Sequence, residues 1–211
     1  MLASKVGYWG ETTPAQVTAS IEASLRRLKT DVIDIVQFHG GMYTAEEVER
    51  ILNGGLLAAL VRARETGKTR FLGFTVEEPW TAKPLIASGG FDMLQVRYNL
   101  IYQSAAEHVL NEAREADLGV AVMRPLTSGV FQRLMSYLAP DWQEDELYEL
   151  ALKFVLSDSR VHVANLGMRW PQEVARNVAL ASSFLPPFDM ADLPRGTAAV
   201  YRTDDEMHAA G

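Results

Sequence analysis

Cysteine is absent from all 211 residues. Its absence excludes disulfides, zinc–thiolate sites and iron–sulfur clusters, and makes a cytoplasmic location the expectation. Long apolar runs are missing too. No stretch reaches membrane-spanning length, and the first residues lack a basic-then-apolar signal pattern, so no membrane association is expected. Cationic charge is in deficit: 20 Lys and Arg face 27 Asp and Glu, giving a net charge of −7 and a pI near 5.1. Without a Lys/Arg stripe, a nucleic-acid partner is not expected. His39, His108, His162 and His208 lie far apart and show no metal-ligand spacing, so no metal site is expected. No G-x-S-x-G, P-loop or G-x-G-x-x-G motif is present. Glu46-Glu47-Glu49 and Asp204-Asp205-Glu206 read as solvated charge.

What is there has an ordinary globular balance, 48% hydrophobic and 22% charged, enough for one sizeable core. Strand-like runs cover 1–6, 32–38, 69–75, 92–96, 119–123 and 161–166. Between them fall helical patterns at 14–28, 45–52, 56–64, 79–88, 105–116, 144–156 and 171–183. Thr13-Pro14 reads as an N-cap followed by a proline at the first helical position. The alternation suits right-handed crossover units and predicts one α/β domain over 1–185, with 186–211 as an irregular tail. Six such units make either an open doubly wound sheet or most of a barrel, and periodicity does not separate the two.

The stretch 25–41, LRRLKTDVIDIVQFHGG, organises the pattern. Its run from Val32 to Phe38 has the composition of a buried parallel strand. That strand ends on His39, followed at once by Gly40-Gly41. The C-terminal ends of barrel strands carry chemistry; a hydrogen-bonded structural histidine is the plainer reading. SLRRLKTDVIDIVQFHG resembles the fourth strand of the aldo-keto reductases with its preceding helix, and matching segments recur in the family's order from Ser4 to about Asn177. The resemblance implies an incomplete TIM (β/α)8 barrel, with about six of its eight units and the first two missing. It also implies a late-called start or a truncated gene, because the family's catalytic aspartate and tyrosine precede its lysine and have no counterpart here. Tyr8 and Tyr43 follow Lys5 and His39 and match neither motif.

Residue by residue, the resemblance implies the following. LASKVG is similar to the third strand and gives Lys5 the role of tuning the catalytic tyrosine, while His39 orients the substrate carbonyl. GKTRFLGFT places Thr75, and FDMLQVRYN places Gln95, against the nicotinamide amide; Val76 stands where asparagine is frequent. VMRPLTSG is similar to the loop covering the pyrophosphate, with Arg124, Leu126, Ser128 and Gly129 as contacts; Met123 stands where an aromatic ring is frequent. LGMRWPQEVARN is similar to the eighth strand and its helix, with Gly167, Arg169 and Asn177 toward the adenosine end. There Glu173 replaces a basic residue and opposes a 2′-phosphate. The implied cofactor is NADP (as NADPH), with NAD as the alternative. The implied function is reduction of an aldehyde or ketone, a small-molecule carbonyl substrate with Trp9, Trp80 and Trp142 as pocket candidates. The rival reading is a non-catalytic nucleotide-binding or interaction protein that keeps the cofactor half of the barrel. Open strand edges predict self-association.

Overall fold

The computed structural model describes residues 1–7 and 13–192. Six strands form one parallel sheet in chain order: β1 (Ala3–Val6), β2 (Ile33–His39), β3 (Thr69–Val76), β4 (Met93–Arg97), β5 (Gly119–Met123) and β6 (Val163–Ala164). Sequential parallel order with helical crossovers is barrel topology, and the doubly wound alternative is set aside. The barrel is incomplete: among the described residues β1 and β6 each have one strand neighbour. No described helix is long and apolar enough to cross a membrane.

Local chemistry explains the helices. In α1 (Pro14–Leu28) the Thr13 hydroxyl accepts from the Gln16 amide, and the Gln16 side chain accepts from the Thr13 amide, a reciprocal cap. Val17, Ile21 and Leu25, on one helical face, are buried. Lys29 ends the helix in the left-handed region, at φ 53°. Thr44 and Glu47 cap α2 (Ala45–Leu52) in the same way. Next come α3 (Leu56–Glu65), α4 (Lys83–Ala87), α5 (Ser104–His108) and α6 (Leu110–Glu115). The remainder are α7 (Val130–Leu138), α8 (Glu144–Leu156) and α9 (Pro171–Ser183).

The sheet's two faces differ in chemistry. Val36, Phe38, Leu72, Phe74, Leu94, Val96, Val120 and Val122 join Val17, Ile21, Leu60, Leu85, Leu110 and Val155 in the apolar core between sheet and helices. The opposite face carries the polar residues. Lys5, Gln37, Gly73 and Met93 are in register across β1–β4, and His39, Thr75, Gln95 and Ala121 across β2–β5. Period-two alternation puts both rows on the inner face.

Several boundaries differ from the sequence pattern. The segment 79–88 opens as a 3₁₀ turn, Pro79–Ala82, before α4. Pro79 and Pro84 each lack an amide donor, which limits regular α-helix there. The helix expected at 105–116 breaks at Val109, whose φ of −137° is non-helical. β6 is shorter than 161–166, although His162 and Asn165 amides extend its bonding to the Val120 and Val122 carbonyls. Residues 186–192 are tied to the body: the Asp189 carboxylate accepts from the Ser159 amide at 3.0 Å, and the Met190 amide donates to the Ser157 carbonyl at 2.7 Å. Residues 193–211 lie outside the described residues.

Beside that anchor is a buried ion pair. Arg160 donates through Nε and Nη2 to Asp158 at 2.8 and 2.7 Å, with both side chains fully buried. The Tyr98 hydroxyl donates to Asp158 at 3.0 Å, and Arg160 reaches Asn111 Oδ1 at 3.1 Å. The network joins the loop before β6 to the end of β4 and to α6.

Candidate functional site

His39 closes β2 on the inner face. Burial and the nearby positive charge of Lys5 lower its pKa, with Glu77 opposing them. The imidazole is therefore held neutral near pH 7, able to donate from one nitrogen. Lys5 lies in register with Gln37, one inward-facing step before His39. Gln37 is buried, and its Oε1 has no hydrogen-bond partner among the described residues.

Thr75 is in register with His39, but its hydroxyl is used locally. It accepts from the Gly40 amide and donates to the Gly40 carbonyl, both at 3.0 Å. Gln95 is buried, and its Oε1 accepts from Asn165 Nδ2 at 3.2 Å. Tyr43 is not poised as an acid. Its hydroxyl donates to the Thr75 carbonyl at 2.8 Å, and burial, then Glu47, push its pKa up. Its ring fills the space over Gly40, where a Cβ would lie 2.3 Å from the ring. Tyr8 and Trp9 lie outside the described residues. Trp80 and Trp142 are both about half exposed, and Trp80 meets the His108 ring edge-on.

At the loops that follow β5 and β6 lies a cleft of about 740 Å³, and neither Lys5 nor His39 lines it. Arg124, Leu126, Ser128, Gly129, Gly167, Arg169 and Asn177 all line it, although they come from three separated segments. Thr75 and Gln95 do not line it; Gln95 adjoins it through Asn165, which does. The loop after β5 holds an unusual backbone. Arg124, Thr127, Ser128 and Gly129 have φ of 57°, 57°, 54° and 79°. Left-handed conformation in three non-glycine residues is costly, and such strain gathers at ligand-binding loops. The Asn99 side chain braces the loop by donating to the Arg124 carbonyl at 3.0 Å.

Several charges in and beside the cleft are paired. Glu77, the residue after β3, meets Arg124 at 2.6 Å and Arg97 at 3.8 Å. Glu78 holds Arg97 at 2.7 Å and accepts from the Tyr102 hydroxyl at 2.7 Å. Arg176 of α9 pairs with Asp145 of α8. Glu173 accepts from the Arg169 amide at 2.6 Å and the Trp170 amide at 3.2 Å, and these bonds hold its carboxyl below the ordinary range. Glu77, Asn165, Tyr148 and Arg176 were not singled out in the sequence. Glu77 directly follows Val76 at a strand end, so its place next to a candidate contact was the available signal. The other three face the cleft only through tertiary packing.

The aldo/keto reductase family model matches residues 1–139. An aldo-keto reductase of Fusarium vanettenii is 30% identical over 83% of this chain, which corresponds to 48% of that protein. One of Metarhizium robertsii is 31% identical over 61% of this chain and 34% of its own length. The chain thus spans about half or less of the length of these curated relatives. Among solved structures, an aldo-keto reductase of Bacillus halodurans in its holo form superposes with a TM-score of 0.72 at 23% identity, covering 87% of this chain and 67% of that one. At that identity the likeness is one of fold.

Proposed function

The chain belongs to the aldo/keto reductase family, and from that premise we propose that it takes part in nicotinamide-dependent reduction of an aldehyde or ketone in the cytoplasm. The cleft carries this reading. Residues chosen by motif from separate segments line one cavity, at the loops that follow β5 and β6. The donor set suits a dinucleotide: an arginine-bearing loop with left-handed backbone, a buried strand-end carboxamide, and two asparagines. At Gly129 and Gly167 an added Cβ would meet nothing within 4 Å, so a side chain there would project into open space that a ligand can use.

In the proposed roles Arg124, Ser128 and Gly129 hold the diphosphate, Gln95 with Asn165 meets the carboxamide, and Asn177 meets the adenine. A reduced nicotinamide, when bound, supplies the hydride. Neutral His39 donates its N–H to the carbonyl oxygen and so orients the substrate. The Lys5 ammonium stabilises negative charge developing on that oxygen. Thr75 acts indirectly, by fixing the Gly40 turn that follows His39.

One observation favours the rival reading, a nucleotide-binding chain without catalysis. The buried tyrosine hydroxyls are committed: Tyr43 to the Thr75 carbonyl and Tyr98 to Asp158. Loss of a general acid removes a factor of ~10²–10⁴. The test is to follow NADPH and NADH consumption by the purified chain on a panel of aldehydes, with cofactor binding read by fluorescence. Turnover that falls at least ~10-fold in His39→Ala supports the reductase. Binding without turnover supports the rival. Absence of both overturns the cleft assignment.

A further inference from the structure

The cleft's cations are largely spoken for. Arg124 is paired with Glu77, and Arg176 with Asp145. Arg169 makes no ion pair among the described residues. Arg124, Arg169 and Arg176 share the lining with Glu144, Asp145 and Glu173, so the wall has no net positive charge.

The amides that lead into α9 are also occupied. A helix N-terminus is an anion site, because its first N–H groups point outward without intrahelical partners. Here a carboxylate of the chain already sits at the helix start: Glu173 Oε2 takes the amides of Arg169 and of the N-cap Trp170, just before Pro171, at 2.6 and 3.2 Å. A phosphate entering this corner must displace that carboxylate and then face its charge. A ribose hydroxyl need do neither. Glu173 Oε1 accepts no hydrogen bond among the described residues, and an ionised carboxylate has lone pairs for a donor. An acidic side chain on the ribose 2′-hydroxyl is how unphosphorylated dinucleotides are selected in another fold, whereas arginine accommodates the 2′-phosphate.

We infer that Glu173 selects a nicotinamide dinucleotide whose adenosine ribose carries a free 2′-hydroxyl, so that this cleft takes NAD(H) in preference to NADP(H). The inference rests on the proposed reading of the cleft as a dinucleotide site. It runs against the cofactor implied by family resemblance. Its physical basis is that the chain's own carboxylate fills the anion position.

The test is calorimetric titration of the purified chain with ADP-ribose and with its 2′-phosphorylated form. Wild type, Glu173→Gln and Glu173→Arg are compared, each checked for native helix content by circular dichroism. Wild type is expected to bind ADP-ribose about tenfold or more tighter, the size of one charge-assisted hydrogen bond. Glu173→Gln, which keeps a cap at the helix start, should narrow that ratio. Glu173→Arg should reverse it. If Glu173→Arg fails to fold, Glu173→Gln decides. Equal or tighter binding of the 2′-phosphate form by wild type overturns the selection while leaving the cleft assignment intact. An unchanged ratio in a folded variant removes Glu173 from it. Binding of neither ligand to any of the three overturns the dinucleotide reading, and the selection falls with it.

Discussion

Replacing Arg160 with methionine should be among the most damaging single changes in this chain. The substitution keeps most of the side-chain volume, so little cavity is created. What it removes is the charge opposite Asp158, where both side chains have zero exposure. Asp158 loses bonds of 2.8 and 2.7 Å and keeps the Tyr98 hydroxyl at 3.0 Å. Asn111 Oδ1 loses its 3.1 Å donor as well. Breaking a buried pair by removing one partner costs ~3–5 kcal/mol, because the other charge stays behind uncompensated. That is a large share of the ~5–15 kcal/mol that holds an ordinary domain together. With a urea m-value of about 2 kcal/mol per molar, the midpoint should fall by roughly 1.5–2.5 M. The assay is urea unfolding followed by circular dichroism. The double variant Asp158→Leu/Arg160→Met removes both charges and should recover most of the loss. A midpoint for Arg160→Met that corresponds to less than ~1 kcal/mol at unchanged m, with no gain in the double variant, would refute the reasoning.

Three further outcomes are expected. Gly40→Ala puts a methyl 2.3 Å from the Tyr43 ring; it should cost about 1–3 kcal/mol as an overpacking defect, read as a lowered melting temperature, and wild-type stability would contradict this. Lys5→Met should raise the His39 pKa, since burial and Lys5 both lower it. NMR titration of the imidazole checks this, and a fall would sink it. The sign for stability follows. With the folded pKa below 6.5, the unfolded chain binds more protons in the window beneath 6.5, so the His39 contribution is complete above that pH and is lost as pH falls toward the folded value. The chain should self-associate, because among the described residues β1 and β6 each have one strand neighbour and α7 exposes Val130, Leu134, Tyr137 and Leu138. Light scattering should give a mass above the 23.4 kDa of one chain, and a clean monomer at tens of micromolar would be the contrary result.

The parallel strands and most helices were legible because their signals are local. Thr13-Pro14 marks a helix start in any context, and the Val32–Phe38 run reads as a buried strand whatever packs on it. The element missed entirely is α7. Its apolar residues recur at 130, 134, 137 and 138, a helical spacing, but they point outward. A stripe with no buried counterpart gives no inside to orient it. The loop before α7 has three successive left-handed residues, two of them non-glycine, and no rule of local preference anticipates that. Asp158 and Arg160 stand two apart in a serine-rich turn, and nothing in that local pattern marks them as buried. Only the fold, by closing Tyr98, Ala106 and Asn111 around them, makes them buried.

For the site, the limit is of a different kind. Motif position selects residues by type, but a side chain can bind a ligand only with groups it has not already committed. Thr75 was expected at a carboxamide, and its hydroxyl is closed onto Gly40. Arg124 was expected at a phosphate, and it is held by Glu77, so an anion has to share or displace that carboxylate. Glu173 was expected to repel a phosphate, and its carboxylate is itself bound at the helix start, to the Arg169 and Trp170 amides. Each of these partners arises from sheet register or helix geometry. Gly40 faces Thr75 because β2 and β3 pair with His39 opposite Thr75. Glu77 reaches Arg124 because β3, β4 and β5 are successive neighbours whose C-terminal ends lie on one side. The affinity order of ligands in this cleft therefore depends on which internal bonds each must break. On the proposed dinucleotide reading, a 2′-phosphate breaks the most: two amide bonds to Glu173, with Arg169 the one cation lining the cleft that makes no ion pair among the described residues.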